Sequence, residues 1–593
     1  MHRGESALAV WLVAALSVLL SACGAPSAPA PKPVAPVAPA APAAAARDRW
    51  PEFSAAFIES SFRANPFFAV LEGRHEFDGQ MPDWSAAGIA AEVARLHALR
   101  TEAQAFDAAT LSEAEQLERE IVLTTVESDL FWLERAQFPF TNPAWYLGQL
   151  DPDIYLNRDY APLATRLRGY IGYLRQIPRL AADIRANLRT PLPPSFVQRG
   201  IGDFGGYVDF FRKDGPKVFA EVQDSVAQKD LAEASAAAAD AMAGLKKWLQ
   251  GERAHATGRF ALGEPLFLEM LRATERVDVP ISQLLEIGRA DLERNTQSLK
   301  AACAQYLAGG TLQACVERMQ ADKPNGGAVE GARAQLAQLR EFIVARNILT
   351  IPSDERPQVA EAPPYNRSNA AYINVAGAYE KRPAYIYNIA PPDPSWSAQE
   401  RAAYIPGKAR LLYTSVHEVW PGHFLQFLYS NRNSSKIAAL WVGYAYAEGW
   451  AHYCEEMMWE EGLGNGDPEQ QVGQLTSALL RDVRFLSAIG LHTQGMTLAE
   501  SDRMFRERAF TDPGNARQQA ARGTFDPAYL KYTLGKLMIR KLRADWVARQ
   551  AGAASGADPR EYWHTFHDRF LSYGGPPIPL VRKAMVGEGG SLF

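Results

Sequence analysis

Two imidazoles and a carboxylate fall within seven residues at His417-Glu418-Val419-Trp420-Pro421-Gly422-His423, next to a Pro-Gly pair that distorts helices. Zinc takes nitrogen and oxygen ligands of this kind, and a catalytic zinc typically keeps three protein ligands and a water. In the H-E-x-x-H arrangement, histidines at i and i+4 share one helical face and the glutamate beside the first acts as general base. Here the histidines are at i and i+6. On a regular helix that turns them about 240° apart, too far to share an ion. Pro421 removes a backbone donor and clashes with the preceding turn, while Gly422 tolerates unusual dihedrals. Two extra residues can therefore bulge out and return His423 to the face of His417.

The elements that must position these groups follow. Ala445 to Glu456 reads as a second helix, and its Glu448, 25 residues after His423, is the natural third ligand. His452, one turn further on the same face, could replace or assist Glu448 or hold it from behind. Most of the chain from Arg47 reads helical, with apolar residues at three- and four-residue spacing over Ala86 to Leu99, Leu111 to Glu134, Phe219 to Leu249, Ile281 to Leu307 and Glu330 to Val344. The exception is Asn369 to Ile389, where Ala371 to Val375 and Ala384 to Ile389 alternate as two short strands. Pro143 to Asp153 and Leu192 to Gly206 read as Pro- and Gly-punctuated loops that could wall a cleft.

The stretches H-E-V-W-P-G-H-F-L-Q and A-E-G-W-A-H-Y-C-E resemble the paired signatures of the bacterial "domain of unknown function 885" family, whose pattern looks like a variant of the thermolysin-like metallopeptidases with glutamate as third ligand. Leu71 to Asp78, Gly263 to Phe267 with Leu271-Arg272, Tyr372-Ile373-Asn374, Gly490-Leu491-His492 and Tyr532 to Lys536 also resemble family landmarks, so the likeness covers nearly all of the mature chain. Two positions depart from it: Phe424, where a second histidine is frequent, and His452, where an aliphatic residue is usual. The resemblance implies a mainly helical, metallopeptidase-like fold with a central cleft and a small β element beside the metal helix, the metal site falling within 365–540. It further implies a zinc ion on His417, His423 and Glu448, with Glu418 as general base.

A hydrolase of this type needs a further donor for the developing oxyanion. His492, Tyr532 and Arg484 are candidates, and the resemblance favours Tyr532 and His492. Arg484 could instead hold a peptide's C-terminal carboxylate, since guanidinium reads carboxylates bidentately. Tyr372 and Asn374 are assigned to substrate binding, because a strand edge holds an extended peptide through its backbone. A plain hairpin, a satisfied histidine or an ion-paired arginine is the structural alternative for each. His564 and His567 lack a carboxylate pattern and read as a surface or core pair.

The start of the chain suggests location. Ala7 to Leu20 is apolar but shorter than a spanning helix, as in a secretory signal. Leu20-Ser21-Ala22-Cys23 resembles a bacterial lipobox, implying a signal peptide over 1–22 and acylation of Cys23. Residues 23–46 then form a lipidated Ala/Pro-rich tether. Gly24 in place of an aspartate points, by analogy with sorting rules, to the outer membrane facing the periplasm. Acidic and basic residues nearly balance, with a net charge of -5 and no basic stripe, which argues against a nucleic-acid partner. Besides Cys23 the cysteines are Cys303, Cys315 and Cys454. Cys303 and Cys315 could bridge two helix ends if their geometry allows, and Cys454 should simply pack.

Two functions fit: a lipid-anchored zinc peptidase acting on short peptides as a carboxypeptidase or dipeptidase, or a non-catalytic zinc-containing helical lipoprotein that binds peptides or envelope partners. A base beside the first histidine favours the first, since a structural zinc site has no use for one. A fourth ligand from His452 would favour the second.

Overall fold

Helices stand where the apolar spacing predicts them: Ala86–Ala105, Glu113–Leu130, Ser225–Glu252, Ile281–Tyr306 and Gly327–Arg346. They belong to a computed structural model that describes residues 49–593 apart from 364–365, 368–369, 395, 552–557 and 588–589. The signal segment, Cys23 and the tether to Ala46 lie outside the described residues. Local chemistry sets the helix ends. The helix expected from Phe219 starts at Ser225, because the Asp224 carboxylate accepts from the Val226 and Ala227 N–H groups at 3.1 and 3.0 Å.

The Leu192 to Gly206 segment is a helix, Pro194–Asp209, and not a loop. Proline is tolerated in a first helical turn, and Gly200 packs closely enough that a Cβ there would lie 2.6 Å from Leu249 Cδ1. Tertiary packing overrides the breaker signal. The segment nonetheless walls a cleft: Ser195, Gln198, Arg199 and Asp203 line the large cavity described below.

The strands form one small sheet of β1 (Gln358–Glu361), β2 (Ala371–Asn374) and β3 (Ile386–Ile389), in the order β1-β3-β2. β2 and β3 pair antiparallel, Tyr372 opposite Asn388, as the alternation suggests. β1 pairs parallel to β3 and was not expected. Its four residues carry too little pattern to read.

Hydrophobic residues gather in three clusters. Two lie mainly between Trp50 and Leu249, and the largest runs from Phe267 to Met585 with Phe131 added from the N-terminal part. In the largest, Ile281–Tyr306 packs on Pro468–Thr493, and Tyr444–Glu460 on Lys531–Ala551. Cys303 and Cys315 form a disulfide between the Ile281–Tyr306 and Leu312–Ala321 helices, and Cys454 is a buried free thiol. Among the described residues no helix is long and apolar enough to cross a membrane.

Candidate metal centre

The helix Lys408–Glu418 ends at Glu418, and a new one, His423–Asn431, starts five residues on. The expected bulge is thus a complete break. The Trp420–Pro421 peptide is cis, the Trp450 indole N–H donates to the Pro421 carbonyl at 2.9 Å, and the Gly422 N–H donates to Val416 O at 3.0 Å. Glycine is dictated by space, since a Cβ at 422 would lie 1.8 Å from the His417 carbonyl oxygen. Phe424 is fully buried edge-on against Trp420 and Tyr385, so this departure from the family pattern is a packing choice.

The break sets the His423 ring edge-on to that of His417, with centroids 4.8 Å apart. Glu448 completes the group from the Tyr444–Glu460 helix, which crosses Lys531–Ala551 at two glycines. A Cβ on Gly449 would come within 2.5 Å of Gly535 Cα, and one on Gly535 within 2.0 Å of Ala445 O. This close crossing holds Glu448 and Tyr532 on the same side of the site.

Glu448 Oε2 lies 3.2 Å from His417 Nε2 and 3.3 Å from His423 Nε2, and the three donor atoms lie within 4.8 Å of one another. Donors bound tetrahedrally to zinc at about 2.0–2.1 Å stand roughly 3.3–3.4 Å apart. The two Glu448 distances are close to two edges of such a tetrahedron, and imidazole nitrogen and carboxylate oxygen are donor types that zinc takes. Burial alone would raise the Glu448 carboxyl, but His423 and His417 hold it well below its ordinary value. Behind the ligands, His417 Nδ1–H donates to Glu455 Oε1 at 2.8 Å, which directs Nε2 to the centre. Glu455 is fully buried; burial would raise its carboxyl, yet the Arg481 guanidinium at 2.9 Å keeps it ionised.

Glu418 faces the same space. Burial pushes its carboxyl up to about 7, and Glu448 adds to the shift, while His423, Arg481 and the Ile373 N–H oppose it. Ile373 is on β2, an edge strand whose residues Ala371 to Ile373 line the cavity. The cavity measures about 2100 Å³ and is also lined by His417, Glu418, His423, Glu448, Arg484 and Tyr532. The Tyr532 ring lies nearly parallel to that of His417, with centroids 6.2 Å apart, and the Arg484 guanidinium sits over it at 4.9 Å.

Three expected residues are not brought to the centre. His492 has both ring nitrogens engaged, Nε2–H donating to Gly523 O at 2.7 Å and Nδ1 accepting from the Leu262 N–H at 3.3 Å. It ties segments together and has no donor left for an oxyanion. Asn374 gives its side-chain amide to Asp153 and does not line the cavity, so it is a structural tie and not a substrate contact. His452 is fully buried, its Nδ1 3.8 Å from Glu455 Oε2, and stands outside the donor cluster. Conversely, Glu455 and Arg481 went unassigned in the sequence. Their signal was periodic: Glu455 follows Glu448 by seven residues, on the same helical face.

The family model for "Bacterial protein of unknown function (DUF885)" matches residues 66–585. The chain belongs to this family. Two solved structures share the DUF885 chain's fold. One is a candidate lipoprotein of unknown function from Shewanella oneidensis (TM-score 0.73, 23% identity, 91% of this chain and 99% of that one). The other is a candidate lipoprotein from Colwellia psychrerythraea (TM-score 0.73, 18% identity, 91% and 98%). No curated protein matches the chain.

Proposed function

We propose that this DUF885 protein is a zinc-dependent peptidase that hydrolyses short peptides, as a carboxypeptidase or dipeptidase, at the cell envelope. The observation that carries the reading is the convergence of His417, His423 and Glu448 beside Glu418 in the wall of one cavity. Three protein donors are the number typical of a catalytic zinc, which leaves a position for water. The likeness to thermolysin-like peptidases is one of site chemistry.

His417, His423 and Glu448 would hold the zinc ion, which when bound would supply an activated water at neutral pH and a Lewis acid for a carbonyl. Glu418 takes the proton of the attacking water and returns it to the leaving amine. Tyr532, buried against the His417 ring, donates its hydroxyl to the oxyanion. The outer edge of β2 meets the substrate backbone at Ala371, the Ile373 N–H being engaged by Glu418. The Ala390 N–H donates to Ala370 O at 2.9 Å, so even-numbered β2 residues face β3 and Ala371 and Ile373 face outward. Arg484 holds the free carboxylate of the peptide.

The lipobox before Cys23 places the chain on a membrane through its acylated N-terminus, outer-membrane attachment facing the periplasm being the reading of Gly24. The two structural neighbours, themselves described as candidate lipoproteins, support an anchor. The test is hydrolysis of a short-peptide library by the zinc-loaded chain. Glu418→Gln is expected to keep its metal and lose roughly 10²–10⁴-fold in turnover; full turnover in that variant overturns the assignment.

A further inference from the structure

The cavity beside the metal centre is lined by an excess of arginine in a protein whose net charge is negative. Four of these arginines cluster near the ligands. Arg481 is engaged with Glu455 at 2.9 Å and Arg522 with Asp526 at 3.0 Å. The other two, Arg410 and Arg484, make no contact salt bridge among the described residues, Asp512 acting on Arg410 only at longer range; Arg484 gives one N–H to Gln519 at 2.8 Å. An unpaired guanidinium in a half-enclosed space is costly unless a ligand supplies the anion. Burial and the neighbouring arginines push both groups below their ordinary values, Asp512 alone pulling Arg410 the other way.

Position makes the pair specific. Arg410 precedes His417 by seven residues on the helix Lys408–Glu418, so Arg410, Thr414 and His417 share the face that lines the cavity. Arg484 sits on Pro468–Thr493, three residues beyond Arg481, over the Tyr532 ring. The two guanidinium groups therefore come from different helices, and each lies near enough to the engaged Arg481 to feel its charge. That arrangement suits two separate carboxylates on one ligand better than a single compact anion, and guanidinium pairs with carboxylate in a planar, bidentate way.

We propose that Arg410 and Arg484 form a two-point carboxylate subsite, so that the preferred substrates are short peptides ending in aspartate or glutamate. Arg484 takes the terminal carboxylate and Arg410 the acidic side chain. The assignment of the ligand as a substrate rests on the peptidase reading above.

The experiment separates the two claims. The full chain carrying Glu418→Gln and loaded with zinc is titrated calorimetrically with Ala-Ala-Glu, Ala-Ala-Gln and Ala-Ala-Lys, and the unmodified chain is assayed for their hydrolysis. The Glu peptide is expected to bind at least about tenfold more tightly than the Gln peptide, and the Lys peptide most weakly. Adding Arg410→Gln brings the Glu-to-Gln ratio close to one, whereas Arg484→Gln weakens both peptides. Equal binding of the Glu and Gln peptides overturns the subsite without any arginine variant, as does a preference that survives in folded Arg410→Gln protein. Preferential binding with no hydrolysis by the unmodified chain leaves the subsite standing and removes the peptidase reading.

Discussion

Two clusters of buried charge share the same helices. On Tyr444–Glu460, Glu448 belongs to the metal centre and Glu456, two turns on, to a second network; on Lys531–Ala551, Tyr532 and Lys536 divide in the same way. The second network closes on itself. Lys536 Nζ meets Asp291 at 2.5 Å, Arg294 makes two bonds of 2.9 Å to Glu456, and Asn295 donates to Asp482 at 2.7 Å. Burial and the adjacent Asp291 push Asp482 well above the usual carboxylate range. Every strong donor there has its acceptor. The candidate metal centre is arranged otherwise: two imidazole nitrogens and one carboxylate oxygen lie within 4.8 Å of one another at the cavity wall, a donor set of the kind a cation takes. Closure fits a structural role, and the open cluster at the cavity wall is what the proposed function rests on.

That contrast can be broken by mutation. Lys536→Met should cost roughly 3–5 kcal/mol of stability, because it leaves Asp291 and Glu456 buried with a missing cation. Urea denaturation in the presence of chelator measures this, and a change below about 1 kcal/mol would mean that the network is not the closed unit described. Tyr532→Phe should leave stability nearly unchanged and lower kcat by about 10²-fold, with a smaller effect on KM. Steady-state kinetics that move only KM would reassign Tyr532 to substrate binding.

An effect visible only on acidification is expected from the neutral histidines of the core, and at neutral pH it vanishes. Burial pushes His492 down to about 4 and His567 to about 3. Between those values and the ordinary value near 6.5 the unfolded chain binds protons that the folded chain does not. Stability should therefore fall as pH drops from about 6.5 toward 4, by at most about 1.4 kcal/mol per pH unit for each histidine, and recover as pH rises. Denaturation curves at several pH values, compared with His567→Phe, read the slope; an unchanged slope in the variant would show that His567 titrates normally.

The grouping of His417, His423 and Glu448 was legible because their side-chain types and spacing suggested that they meet, and the structure brings them together. The Pro-Gly pair signalled that the i and i+6 histidines could meet, although a bulge was expected where the helix breaks. Long helices such as Ile281–Tyr306 were legible from periodicity. What was hidden depends on distant partners. His492 looked like a site residue until Leu262 and Gly523 closed on its two nitrogens. Asn374 sits on the right strand, yet its side chain goes to Asp153. The glycines of Pro194–Asp209 read as breakers because the Leu249 side chain that packs on Gly200 lies far along the chain.

The most direct test of the metal centre is zinc content by plasma mass spectrometry on the chain from Arg47 onward, beside His423→Ala. The expected result is about one zinc per chain, lost in the variant, whose folding in chelator matches that of the unmodified protein. No bound transition metal after zinc supplementation, or undiminished zinc in folded His423→Ala protein, would contradict a centre built on His417, His423 and Glu448.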